Sequence, residues 1–452
     1  MTRSSPVPIP HDPAGRATYE LDRAHVFHSW SAQKHLDPMV VTGAEGSYLW
    51  DADGTRFLDF SGQLIYTNVG HQHPRVVEAI QRQAATLCTI APAHANDQRA
   101  RAAQLIAERA PEGMNKVFFT NGGADAVEHA VRMARLHTGR RKVLSQFRGY
   151  HGGTYLTMNM SGDHRRWRND DGAAGTVRFW GPFLYRSAFN ATTPEEECER
   201  ALAHLEELIR FEGPDAFAAL VLESVVGTAG VIPPPPGYLA GVREICDRYG
   251  IVYIADEVMV GFGRTGSWFA FEQHGVAPDL ITFAKGVNSG YVPLGGVVIS
   301  DRVAATFDDV AYPGGLTYSG HPLACAAAVA TIEAMTEEGM VENAAALGGL
   351  LGPALRELAE RHPSVGDVRG VGAFWGLDLV VDRTTKEPLA PYGGSSPAMQ
   401  ATLAEATRRG LLAFANYNRI HLAPPLNATE AEIKEGVAAL DHALAVADSH
   451  TR

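Results

Sequence analysis

Cysteine is scarce in this chain of 452 residues: Cys88, Cys198, Cys246 and Cys325 stand far apart, with no CxxC pair and no histidine at zinc spacing. That excludes a disulfide framework or a metal knot and fits reduced thiols in a cytoplasmic protein. Positive charge is short as well. Thirty-nine Lys and Arg face fifty-one Asp and Glu, a net charge of −12. Nucleic acid and anionic membranes both select basic surfaces, so neither is expected as a partner. No run of about eighteen apolar residues exists to span a bilayer, and the first thirty residues hold prolines and charges instead of an apolar signal core. Repeats and low-complexity tails are absent.

What is present is a globular composition, 45% apolar and 20% charged, with material for a large core. Short apolar, β-branched runs alternate with helical patterns through the middle of the chain, the mark of an α/β protein with a mostly parallel sheet flanked by helices. The predicted strands are KVFF before Thr120, then Lys142–Phe147, Ala218–Glu223, Ile251–Glu257, Asp279–Ala284 and Gly295–Ser300. Their unbroken apolar character suits a sheet covered on both faces. Such sheets bind ligands at the carboxyl ends of their strands. The stretch from Gly46 to Ser61 reads as a β-meander turning at Asp53 and Gly54. A helix is expected from about His321 to Glu338, and Pro233–Pro236 as a rigid loop. The expected division is a large domain over 65–330, with a small α/β domain assembled from 1–64 and 331–452.

Two signals compete in YIADEVMVGFGRTG. Gly261, Gly263 and Gly266 spell GxGxxG, which would suit a dinucleotide-dependent oxidoreductase. The fingerprint needs a sustained helix after its glycines, and SWFAFEQHG is too short and aromatic for one. The other signal is Asp256, an acid at the end of an apolar strand, where it needs a cationic partner. The next strand ends beside Lys285, a lysine with no adjacent acid. Apolar surroundings lower a lysine's pKa and free its amine as a nucleophile. A buried acid and a desolvated lysine on one rim suit pyridoxal phosphate, whose aldehyde joins lysine as a Schiff base while a carboxylate pairs with the ring nitrogen. Asn121, Gly122 and Gly123 open a helix after a strand, a cradle for the cofactor's phosphate.

From about residue 45 onward the chain resembles the class III pyridoxal-phosphate aminotransferases, the ω-aminotransferase group of fold type I. The resemblance rests on GHQHPRV, FFTNGGADAVEHAVRMAR, FRGYHGGT, ALVLESVVGTAGVIPPPPGYL, IVYIADEVMVGFGRTG, DLITFAKGVNSGYVPLGGV, GLTYSGHPLACAAA and IHLAPPLNATEAEI, in family order. It implies Lys285 as the Schiff-base lysine, Asp256 on the pyridine nitrogen, Val258 and Tyr150 against the two ring faces, and Gly122, Gly123 and Ala124 around the phosphate. Thr317 would reach the phosphate across the interface of a homodimer. His151 and Glu223 would support the cofactor pocket, and GFGRTG would be a structural loop.

The resemblance also implies an amine donor and a keto-acid acceptor, pyruvate or 2-oxoglutarate. Many members that hold glutamate or 2-oxoglutarate pair a glutamate with an arginine just ahead of the APPL segment; here Thr228 and His421 occupy those positions, and Phe414 falls where ω-amine:pyruvate enzymes carry a mobile arginine. Arg419 is then the nearest cation for an acceptor carboxylate, its alternative being a solvated arginine at a strand edge. Leu64, Ile65 and Tyr66 align with the pocket wall, and HSWSAQ (His28–Gln33) is reminiscent of members acting on taurine. The lean is towards an ω-amine or ω-amino acid donor, such as taurine, β-alanine or a GABA-like compound, with pyruvate as acceptor. An aminomutase or decarboxylase on the same cofactor is the alternative. His71 and His73 lack the further ligands of a metal site, so no metal is expected. RRWR, Arg165–Arg168, reads as solvated surface, with steering of acidic substrates as its alternative.

Overall fold

The computed structural model describes residues 9–170, 172 and 175–452. Its contacts separate two compact units, one from Pro74 to Glu342 and one joining the chain through His73 to Asn343–Arg452. The boundaries fall somewhat further along the chain than the expected 64 and 330.

The Pro74–Glu342 unit is built on seven strands: β1 (Lys116–Thr120), β2 (Lys142–Gln146), β3 (Thr176–Phe179), β4 (Phe217–Glu223), β5 (Val252–Asp256), β6 (Leu280–Phe283) and β7 (Gly295–Ile299). They lie in the order β1-β7-β6-β5-β4-β2-β3. β2 through β6 pair in parallel, and β7 alone runs counter to its neighbours β1 and β6. β4 to β7 are buried along their whole length, as their apolar runs require.

The Gly123–Thr138 helix covers one face of this sheet. Ala126, Val127, Ala130, Val131 and Ala134 recur three and four residues apart and pack on Val143, Val221, Ile254 and Val297. Each fully buried valine or isoleucine there stabilises the fold by about 1.5–3 kcal/mol. The helix stops at Gly139, whose φ of +70° makes the left-handed cap. The expected helix near His321 spans Pro322–Glu337 and packs against helices Pro74–Thr86 and Asp97–Ala107. Its alanines allow that close approach.

In the other unit, Val41–Glu45, Tyr48–Asp51 and Arg56–Asp59 form the expected meander. Asp51 turns the second hairpin by accepting from the Asp53 and Thr55 amides, with Gly54 at φ +80°. Leu411 and Leu412 then pair in parallel with Leu58 and Asp59, which stitches the two ends of the chain into one sheet. A second sheet carries Val365–Val371, Phe374–Asp382, Arg419–Leu422 and Phe414–Asn416 in that order, all antiparallel. Among the described residues no helix is long and apolar enough to cross a membrane, and no group of three or more His, Cys, Asp or Glu could hold a metal ion.

Candidate active site

Three parallel strands end level with one another. Glu223 on β4 pairs with Asp256 on β5, and Asp256 with Thr282 on β6. Parallel strands have the same direction of exit, so their last residues share one rim. Asp256 is 3% exposed, which makes its partners decisive. One carboxylate oxygen accepts from the Val258 amide at 3.2 Å and the Thr282 hydroxyl at 3.4 Å. The other lies 2.6 Å from His151 Nδ1.

His151 is buried, and its amide donates to the Ser161 hydroxyl at 3.0 Å, which donates in turn to the Thr157 carbonyl. Burial disfavours the imidazolium, yet the hydrogen bond and charge of Asp256, with Glu223 adding, leave the pKa of His151 raised. Its Nε2 is enclosed without a partner. Glu223 accepts from the Tyr150 amide at 2.9 Å and the Gly227 amide at 2.8 Å, tying the loop bearing Tyr150 to the rim. Burial pushes the Glu223 carboxyl up to about 7; His151 opposes the rise and Asp256 adds to it.

Lys285 comes two residues after β6, opening a short 3-10 turn, Lys285–Val287. Its φ is +47°, a conformation that costs a side-chain-bearing residue about 1–3 kcal/mol and persists only where the surroundings enforce it. Burial lowers the pKa of its amine. The charges of Asp256 and Glu223 oppose that shift and Arg165 reinforces it, so all three lie within electrostatic reach of the lysine. The rim therefore brings Lys285, Asp256, Glu223 and His151 together.

Across the rim, Gly122 precedes the Gly123–Thr138 helix, and no side chain caps its N-terminus. The Thr120 hydroxyl donates to the Gly122 carbonyl at 2.9 Å and fixes the turn. A Cβ on Gly123 would lie 2.6 Å from Val258 Cγ1, so glycine is what lets Val258 reach this helix start. Ala124 is partly buried beside it. Thr317 stands exposed in a turn over residues 317–320.

The GxGxxG loop is closed on itself. Phe262 N donates to Trp268 O and Gly263 N to Ser267 O, while Gly261 N donates to Glu257 O. The following Ala270–His274 is a single 3-10 turn. Amides committed in this way do not cradle a pyrophosphate. Glu257, beside Asp256, faces a different interior, accepting from Ala270 N at 2.9 Å and Phe271 N at 3.3 Å.

The basic cluster corrects the expectation of solvated surface. Arg168 is exposed, but the side chains of Arg165 and Arg166 are only 15% and 17% exposed. Arg166 pairs with Asp170, and Arg165 is held by Asp163, with its guanidinium 3.6 Å from the centre of the Tyr150 ring. The signal was available in the sequence, since Asp163 and Asp170 flank the arginines and can neutralise them inside the fold.

The remaining candidates, Thr228 apart, lie in the other unit. Leu64 is 40% exposed, Ile65 is buried with a φ of +62°, and Tyr66 is partly buried. Arg419 is neither solvated nor at an edge. It is 6% exposed on a strand with neighbours on both sides, its Nε 3.1 Å from Asp378 and its Nη1 without a partner. Burial drives the pKa of His421 down to about 3, helped by the charges of Arg419 and Arg369. The Phe414 ring sits 5.3 Å from that of His421. Thr228 is buried beside the Gly227 amide that Glu223 holds. His71 pairs with Asp59 at 2.9 Å.

The family model described as aminotransferase class-III matches residues 30–444. A taurine–pyruvate aminotransferase of Rhodobacter capsulatus is 37% identical over 97% of this chain and 98% of its own. A putrescine–pyruvate aminotransferase of Pseudomonas aeruginosa is 35% identical over 92% of this chain and 93% of its own. The crystal structure of a taurine:2-oxoglutarate aminotransferase from Bifidobacterium kashiwanohense, in complex with PLP and glutamate, superposes with a TM-score of 0.94 at 41% identity, covering 96% of this chain and 98% of that one. The α/β fold with its mixed sheet is that of the fold-type I transaminases, and the chain belongs to the class III aminotransferases.

Proposed function

We propose that this aminotransferase uses pyridoxal phosphate to move the amino group of an ω-amino acid or ω-amine, taurine first among the candidates, to pyruvate or 2-oxoglutarate. The observation that carries the proposal is the shared rim of Asp256 and Lys285. The donor set suits the cofactor: an anionic oxygen for a protonated ring nitrogen, an amine with lowered pKa for an aldehyde, and an uncapped helix start for a phosphate. Bound there, pyridoxal phosphate supplies the electron sink that lets a C–H bond at the donor's amine-bearing carbon ionise.

In this proposal Gly122, Gly123 and Ala124 hold the phosphate through backbone amides. Val258 and Tyr150 enclose the ring, and Asp256, steadied by His151, keeps the ring nitrogen protonated. Glu223 fixes Tyr150 through its amide. Lys285 Nζ, whose pKa burial lowers, takes the proton from the donor carbon. Thr317 of a second copy completes the phosphate site; its exposed turn, shared with Tyr318, fits a homodimer. Leu64, Ile65, Tyr66, Phe414, Arg419 and His421 are proposed for the substrate side. The four free cysteines suit a cytoplasmic location.

The test is a donor panel of taurine, β-alanine, GABA and putrescine against each keto acid, with pyridoxal phosphate supplied and alanine or glutamate measured. Transfer from an ω-amino donor is expected. No transfer to either acceptor would overturn the proposal.

A further inference from the structure

Arg165 has a feature that its ion pair does not explain. Asp163, 1% exposed, holds it on one side only: Oδ1 accepts from the Arg165 amide at 2.9 Å and from its Nε at 2.7 Å. His164 Nδ1 lies 3.1 Å from the same oxygen. The guanidinium is thereby held over the Tyr150 ring, 3.6 Å from its centre. Its Nη2 is enclosed and donates to nothing. A buried charged donor left unsatisfied is costly, and proteins rarely leave one without a use. Tyr150 in turn donates its amide to Glu223 at 2.9 Å, which ties this guanidinium to the rim, and its charge acts on Lys285.

We propose that Arg165 is a specificity-determining residue that binds the acidic end, carboxylate or sulfonate, of the amine donor through the Nη edge left free by Asp163. The inference rests on the transaminase reading and narrows it to acid-tailed amines. An arginine fork offers two parallel N–H donors to such an anion, which a lysine cannot reproduce. Asp163 acts as a positioning residue by fixing the fork. The phosphate of the cofactor is a different anion with its own cradle at Gly122–Ala124, so the experiment separates the two.

Arg165→Gln and Arg165→Lys are compared with wild type, each loaded with pyridoxal phosphate, using taurine and propylamine, an amine without an acidic tail, as donors. Loss of a charge-assisted hydrogen-bond pair predicts that the ratio of kcat/KM for taurine over propylamine falls about 10–100-fold in Arg165→Gln, through KM, and recovers in part in Arg165→Lys. Propane-1-sulfonate, which has the acid and no amine, is titrated calorimetrically into the same proteins. Binding to wild type that Arg165→Gln loses is expected, and it stands even if no donor is turned over, the result that would sink the transaminase reading alone. An unchanged ratio, or no sulfonate binding to wild type, overturns the assignment. So does weakened cofactor retention with both donors affected alike, which would assign Arg165 to the cofactor. Should Arg165→Gln not fold, Arg165→Lys carries the same comparison, because a lysine keeps the charge beside Asp163.

Discussion

At the scale of single residues, burial sets the chemistry of this rim. The same loss of water that lowers the pKa of Lys285 would make Asp256 costly, were it not for His151 at 2.6 Å and the Val258 amide. Asp256→Asn removes the charge and keeps the shape. If preorganised electrostatics contributes several kcal/mol, the donor half-reaction should slow by about 10²–10³-fold, measured in single turnover, with the circular dichroism of the folded chain unchanged. Glu257 illustrates the converse. Burial pushes its carboxyl from 4.5 up to about 7, despite the Ala270 and Phe271 amides that favour the ionised form. A carboxyl whose folded pKa is raised binds more protons folded than unfolded, so its contribution is complete below pH 4.5 and is lost as pH rises through about 7. The rise is worth about 3 kcal/mol. Urea unfolding of Glu257→Gln should therefore show a flatter dependence of stability between those two pH values than wild type; an equal slope would place the titration elsewhere.

At the scale of elements, the site depends on where strands stop and on which residues are small enough to meet. A Cβ on Gly295, the first residue of β7, would fall 2.7 Å from the Gly122 carbonyl group, and one on Gly123 would fall 2.6 Å from Val258. Gly123→Ala should thus push Val258 away and cost about 1–3 kcal/mol, read as a lower melting temperature and weaker cofactor retention. Six of the seven strands were legible because short apolar-rich, β-branched runs between helical patterns have few other uses in an α/β chain. β3, Thr176–Phe179, was not, because it is an edge strand of four residues with only Phe179 buried. The glycine loop was legible by what it lacked, a following helix. Arg165 was misread because four consecutive residues rich in arginine look like surface until Asp163 and Asp170 fold back on them.

At the scale of the whole molecule, the chain returns to its beginning: Leu411 and Leu412 lie beside Leu58 and Asp59. A split unit of this kind was foreseeable from the contrast between the two ends and the α/β centre. The pairing register was not, since sequence carries no local signal for partners some 350 residues apart. The proposed homodimer belongs to this scale. Light scattering should give twice the chain mass, and Thr317→Ala should release pyridoxal phosphate faster on dilution; a monomeric, fully active protein would remove Thr317 from the site.

The most direct test of the account is to reduce the pyridoxal phosphate-loaded protein with borohydride and map the modified peptide by mass spectrometry. The account predicts one phosphopyridoxyl group, on the nitrogen of Lys285, and none in Lys285→Ala. A label on another lysine, or no label at all, would contradict it.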